Sequence, residues 1–337
     1  MRARGWKQIW LLLAATALPV TALFSGGLEN PGQTTKNDGL PHLAGDYTIA
    51  DNVDLVLLDA AVKDPKGGYV TGLDKSAFRV YEDGHPRTIT QFASVDTPVT
   101  VGLVVDDSGS MRNKRPYVIM AGLSFAKQSN PKDEFFVVNF NDHIGLGLPP
   151  QVPFTDNLQQ LRSALYFGQP QGQTALYDAI AYAIKHLESG HRDKRTLIVV
   201  SDGRDNASKL SFPELLSIIE ASRATIYTVG LYDPDDYEVN RHVLRKIAHV
   251  SGGEFFEPEE LAQVLPVFNK ISEDIRNRYT IGYVPDEEND KRRVRTVKVT
   301  AQENGRKLDV RTRVTYTIMP LSQVLAKIPA PAGGETR

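Results

Sequence analysis

The 337-residue chain contains no cysteine. That excludes disulfides, thiolate metal sites, a cysteine nucleophile and a lipid-bearing cysteine near the N-terminus. A dominant charge is missing too. The formal net charge is -2 at pH 7, and no basic stripe with interleaved aromatics appears, so nucleic acid is excluded as the expected partner. No two histidines stand at His-x-x-x-His spacing, which removes the commonest helical zinc pair. No Gly-x-Ser-x-Gly elbow marks a serine hydrolase. No internal repeat is present.

Long hydrophobic runs are also scarce. Ile9–Leu18 is apolar all round, but Pro19 ends it well short of the ~20 residues a spanning helix wants. Arg2, Arg4 and Lys7 precede it, and Val20 and Ala22 are placed for cleavage after Ala22. This basic start, short apolar core and small-residue end read as a signal peptide over residues 1–22. The expectation is export to the periplasm or beyond the cell, with an uncleaved membrane anchor as the alternative. Contact with a membrane is expected only through this segment.

What is present is ordinary for a globular protein: 41% hydrophobic and 24% charged residues. Residues 23–45 are rich in Gly, Pro, Asn and Thr and read as a linker. Residues 46–98 carry β-branched and aromatic runs separated by turn signals such as "EDGH". From Val99 the pattern changes. "VTVGLVV", "EFFVVNF", "TLIVV" and "ATIYTVG" are continuous apolar runs, as expected of strands covered on both faces. Between them, apolar residues recur at helical spacing, as in Leu176, Ala179, Ile180, Ala183, Ile184 and Leu187. Ser211 and Glu214 form a capping-box pattern.

Alternating strands and helices predict an α/β domain, a doubly wound, mostly parallel sheet. Residues 279–318 return to strand patterning, with Asn304-Gly305 as a hairpin tip. Neither β-rich segment has enough apolar positions for a core alone, so the two are expected to pair in one small sandwich. Residues 319–337 read as a disordered tail.

The apolar run "VGLVV" stops at "DDSGSM". Open α/β sheets bind ligands beyond the carboxyl ends of their strands. Three junctions carry oxygens there: Asp106, Ser108 and Ser110 after one strand, Thr174 before a helix, and Asp202 after another strand. Two carboxylates with three hydroxyls, and no His or Cys, suit a hard divalent cation. Singly, each has an ordinary structural reading. Ser110 or Thr174 can serve as helix N-caps, and Asp202-Gly203 can be a turn.

The Asp-x-Ser-x-Ser run, the Thr in "GQTALYDAI" and the Asp in "VVSDGRDN" resemble the von Willebrand factor type A domain. The resemblance covers roughly residues 99–278, and "IAHVSGGEFFEP" looks like that family's closing helix and strand. "VTGLDKSAFRVYEDG" and "YTIGYVP" extend it to bacterial secreted proteins carrying this domain. The resemblance implies a Rossmann-like fold with a metal-ion-dependent adhesion site. Ser108 and Ser110 would bind the metal directly, Thr174 directly or through water, and Asp106 and Asp202 largely through water. The implied ion is Mg2+, with Mn2+ or Ca2+ as alternatives. The implied function is not enzymatic: a protein partner would present an Asp or Glu to the metal. Asp107, Asp142 and Asp205 fall outside the family's ligand positions. Asp107 and Asp205 both read as solvated acids near a cation, with Asp205 also able to accept hydrogen bonds from its loop. The rival reading is a magnesium-dependent phosphoryl-transfer hydrolase with Asp106 as nucleophile. It lacks the second Asp two residues on, where Ser108 stands.

Overall fold

A computed structural model describes residues 55–94, 96–168, 170–233, 240–285 and 294–326. The expected signal peptide and linker lie outside the described residues. No helix among those described is long and apolar enough to cross a membrane.

The described chain opens with β1 (Val56–Lys63), β2 (Phe78–Glu82), β3 (His85–Arg87) and β4 (Ile89–Ala93). Asp83 and Gly84, both at positive φ, turn β2 into β3. There follow β5 (Val99–Asp106), α1 (Arg115–Gln128), β6 (Glu134–Phe140), β7 (Ile144–Leu146), α2 (Leu158–Tyr166) and α3 (Leu176–Leu187). Then come β8 (Lys194–Ser201), α4 (Phe212–Ala221), β9 (Thr225–Gly230), α5 (Arg241–Ser251), β10 (Phe255–Phe256) and α6 (Val264–Arg276). The chain continues through β11 (Arg278–Tyr283), β12 (Val294–Glu303), β13 (Arg306–Arg311), β14 (Thr315–Thr317) and α7 (Leu321–Ala326).

The four apolar runs are the strands β5, β6, β8 and β9, and every residue of each is buried or nearly so. They form a sheet in the order β10-β9-β8-β5-β6-β7, parallel except for β7. Helices α1, α2 and α6 pack together, as do α3, α4 and α5, so both faces are covered. The helical apolar set on α3 is buried in full. The capping box on α4 forms: the Ser211 amide donates to Glu214 Oε2 at 2.7 Å. Order reverses at the centre of the sheet. From β5 the chain moves to β6 on one side; from β8 it moves to β9 on the other. The crevice between the ends of β5 and β8 is therefore the topological switch point, where such sheets bind ligands.

The flanking strands join in one antiparallel sheet, β3-β2-β12-β13-β1-β11-β4, with β14 also on β12. This is a single curled strip rather than the two layers of the expected sandwich. It bends until Phe78 of β2 meets Phe92 of β4, ring centroids 5.3 Å apart, and Tyr279 of β11 at 5.0 Å. Only Thr88 separates β3 from β4, so the chain itself crosses between the two ends of the strip. A separate apolar core fills the curl.

A buried ion cluster links the curled sheet to the α/β layer. Asp274 of α6 accepts from Arg278 Nη2 at 2.8 Å, and from Arg311 of β13, Tyr69 and Tyr227. Burial alone would raise the Asp274 carboxyl, but the two guanidinium charges hold it well below the usual range. Gly252, at φ 81°, ends α5 here, where a Cβ would lie 2.3 Å from the Arg313 amide.

Residues 321–326 of the tail are not disordered: they form α7, which lies on α4. Leu321, Val324 and Leu325 recur at helical spacing, and Val324 is buried.

Candidate metal site

Four of the five expected residues, Asp106, Ser108, Ser110 and Asp202, are joined by hydrogen bonds at the switch point, and Thr174 stands on a loop tied to theirs. Asp106 is the last residue of β5 and is 0% exposed. Both its oxygens are engaged. Oδ1 accepts the Ser108 amide at 2.8 Å, and Oδ2 accepts the Ser201 hydroxyl at 2.6 Å. The first bond shapes the loop after β5; the second ties that loop to the end of β8.

Beyond Asp106 the chain takes a short 3-10 turn, Gly109–Met111, anchored by the buried Met111. The turn brings the Ser108 and Ser110 hydroxyls to 3.1 Å from each other. Ser110 Oγ also donates to Asp202 Oδ2 at 2.7 Å. Asp202, 0% exposed, follows β8, and its Oδ1 accepts the Arg204 amide at 3.1 Å. Gly203 takes φ 78° there, so the turn reading of Asp202-Gly203 holds alongside the site reading. The Arg204 guanidinium lies 3.4 Å from Asp202 Oδ2.

The capping reading fails for the hydroxyls. The short turn after Ser108 and helix α3 both begin without a side-chain cap bond, and Ala175, not Thr174, is the α3 N-cap. Thr174 is buried and held by another loop. Its amide donates to Asn206 Oδ1 at 2.8 Å, and its carbonyl accepts the Asn206 and Ala207 amides. Gly109 donates to the Gly172 carbonyl, which joins the Thr174 loop to the Ser108–Ser110 loop.

Burial pushes the Asp106 carboxyl up to about 6, and the neighbouring Asp202 charge adds to the rise. Two fully buried carboxylates thus share one rim with the Ser108 and Ser110 hydroxyls, which bond to each other and, through Ser110, to Asp202. Among the described residues no group of three or more His, Cys, Asp or Glu side chains is placed to hold a metal. The donor set here is of another kind, two carboxylates and hydroxyls, and it fits a hard divalent cation.

Three further acids occupy different roles. Asp107 is not the solvated acid expected: it is 2% exposed and forms a buried ion pair with Arg115. Its amide donates to the Phe140 carbonyl, so the side chain is turned into the protein beside α1. Asp205 accepts from the Tyr177 amide at 3.2 Å and the Ser208 hydroxyl, bracing the start of α3. Asp142 lies on the solvent-exposed rim beside Gly172. Sequence reasoning missed Asn206, Ser201 and Asp178. Asp178 is the polar residue in the buried face of α3, and it accepts the Lys209 and Leu210 amides at 3.0 Å each. Its place in that apolar stripe was the available signal; Asn206 and Ser201 carried none.

Residues 101–204 match the model of the von Willebrand factor type A domain, the family the motifs resemble. Mouse (Mus musculus) integrin alpha-X is 27% identical over 187 residues, which is 51% of this chain and 15% of that protein. An uncharacterized protein of Borreliella burgdorferi is 22% identical over 168 residues, 46% of this chain and 49% of that one. The chain thus spans less than half the length of either relative. Among solved structures, a von Willebrand factor type A protein from Catenulispora acidiphila superposes with a TM-score of 0.48 at 14% identity, covering 80% of this chain and 75% of that one.

Proposed function

We propose, for a chain whose residues 101–204 match a von Willebrand factor type A domain, that it is an exported, metal-dependent protein-binding module and not an enzyme. It grips an aspartate or glutamate of a partner through a divalent cation, most simply Mg2+. The observation that carries this reading is the pairing of two fully buried carboxylates, Asp106 and Asp202, with hydroxyls that no helix cap consumes.

Ser108, Ser110 and Thr174 would hold the ion through hydroxyls, and Asp106 and Asp202 would orient its waters. A bound cation would supply an exchangeable position for one carboxylate oxygen. The chain's own residues do the positioning. Asp106 sets the first loop and joins it to β8, Ser110 bridges to Asp202, and Asn206 places Thr174. Neutral hydroxyls satisfy a cation without cancelling its charge, so attraction remains for an acidic partner. Export rests on Arg2, Arg4, Lys7 and the Ile9–Leu18 run, and the mass of the mature N-terminus tests it.

The functional test is capture of proteins by immobilised wild type and Ser110→Ala, in magnesium and in chelator. The expected result is capture in magnesium that chelator and the substitution both abolish. Equal capture under all conditions would place the interaction elsewhere on the chain.

A further inference from the structure

Resting on the carboxylate-gripping reading above, we propose that a cavity beside the metal site selects partners whose gripped acidic residue is accompanied by an apolar side chain. The cavity, of about 280 Å³, is walled by Phe140, Ile144 and Phe167, with Asn141, His143 and Gln171 as its polar lining. It lies on the β6 side of the site. Phe140 is the register partner of Asp106 on the neighbouring strand, and its carbonyl accepts the Asp107 amide at 2.6 Å. Gln171 donates its amide to the Asp107 carbonyl at 2.8 Å, so the far wall is tied to the loop that carries Ser108.

Three features give the cavity its selectivity. The first is distance. Neighbouring strands stand ~4.8 Å apart, and an extended peptide places same-face side chains about 7 Å apart. A residue one or two positions from the gripped acid therefore reaches the cavity. The second is Phe167. It is 71% exposed, the most exposed large hydrophobic side chain among the described residues, and it stands at this cavity and not at random on the surface. An apolar side chain seated against it removes both from water. The third is charge. The acid in the lining, Asp107, is spent on its buried pair with Arg115, and His143 is largely solvent-exposed. The walls therefore offer a charged side chain no buried partner. On the opposite, β8 side stands Arg204 beside Asp202. The apolar preference belongs to one flank of the acid only.

The test uses the full chain and bead-displayed hexapeptides with one fixed Asp. One set carries Leu or Phe at the flanking positions and the other Ser or Gly. Matching sets carry Asn in place of Asp. In magnesium, wild type should retain the apolar-flanked Asp peptides at least about tenfold over the polar-flanked ones, the effect of burying one such side chain. Phe167→Ser should bring that ratio close to one while Asp still outbinds Asn, and Phe167→Leu should keep most of the preference. Phe167 is exposed, so neither variant threatens the fold. Equal retention of apolar- and polar-flanked Asp peptides overturns the cavity proposal and leaves the carboxylate reading standing. An apolar preference that is the same for Asp and Asn peptides, or unchanged in chelator, supports the cavity and overturns the carboxylate reading. Retention of no peptide overturns both.

Discussion

Ser110 Oγ donates to Asp202 Oδ2 at 2.7 Å, although 92 residues separate the two in sequence. The bond spans the switch point and closes the site across the ends of β5 and β8. Ser110→Ala should therefore cost about 1–2 kcal/mol in chelator, because the buried Asp202 carboxylate is left with one donor fewer. Its main effect should appear in magnesium. Wild type should gain stability by mass action, about 2.7 kcal/mol at one hundred times the dissociation constant, and the variant should gain far less. Thermal melts across a magnesium titration measure both; equal metal-linked gains would remove Ser110 from the donor set.

Asp106→Ala should behave differently. Asp106 is buried at a strand end, not on a solvent-facing loop, and its loss strands the Ser108 amide and the Ser201 hydroxyl. A destabilisation of about 2 kcal/mol is expected even in chelator, on top of the loss of metal response. Urea unfolding in chelator isolates the first effect. An unchanged midpoint there would show that the two bonds contribute nothing net.

Asn206→Ala should unseat Thr174 without touching a proposed metal donor. The buried Thr174 amide loses its acceptor, which costs roughly 1–3 kcal/mol. Asn206→Asp retains an acceptor oxygen and should restore most of the magnesium response. Metal affinity, read by calorimetry on the three forms, should follow the order wild type, Asp, Ala. Unaltered affinity in the Ala variant would make Asn206 structural only.

Asp274→Asn tests the cluster between the two sheets. Removing the charge leaves Arg278 and Arg311 without their shared buried partner, and about 3–5 kcal/mol should be lost. The Asp274 carboxyl is held below its ordinary value, so its contribution is fully present above about pH 4, its unfolded-state range. It is lost only as pH falls further. The difference between wild type and variant should thus be constant from pH 5 to 8 and shrink in stronger acid. A difference that vanishes near pH 6 would contradict this assignment.

Much of the α/β layer was legible in sequence because its signals are local. A continuous apolar run is a strand covered on both faces wherever it falls, and β5, β6, β8 and β9 all stand where such runs stand. The α3 stripe and the α4 capping box are equally short-range. The three-part order of Asp106, Ser108 and Ser110, then Thr174, then Asp202 placed the candidate site, since each follows or precedes an element whose end faces the ligand edge.

Other features depend on which distant segments meet. Nothing near Asp107 in sequence announces that Arg115 will be buried against it, so an acid beside a cation-binding motif read as solvated. Asn206 became the acceptor for Thr174 only when the loop after β8 crossed to α3. The curl of the flanking strands followed from the meeting of Phe78 with Phe92 and Tyr279, a packing choice that period-two alternation does not encode. The sequence by itself determined which residues form strands and helices and where oxygen donors stand along the chain, because those are matters of neighbouring side chains and backbone preference. Tertiary structure alone decided which carboxylates are dehydrated, which hydroxyl meets a distant carboxylate and which aromatic is left in water, because burial and pairing are properties of segments brought together from far apart.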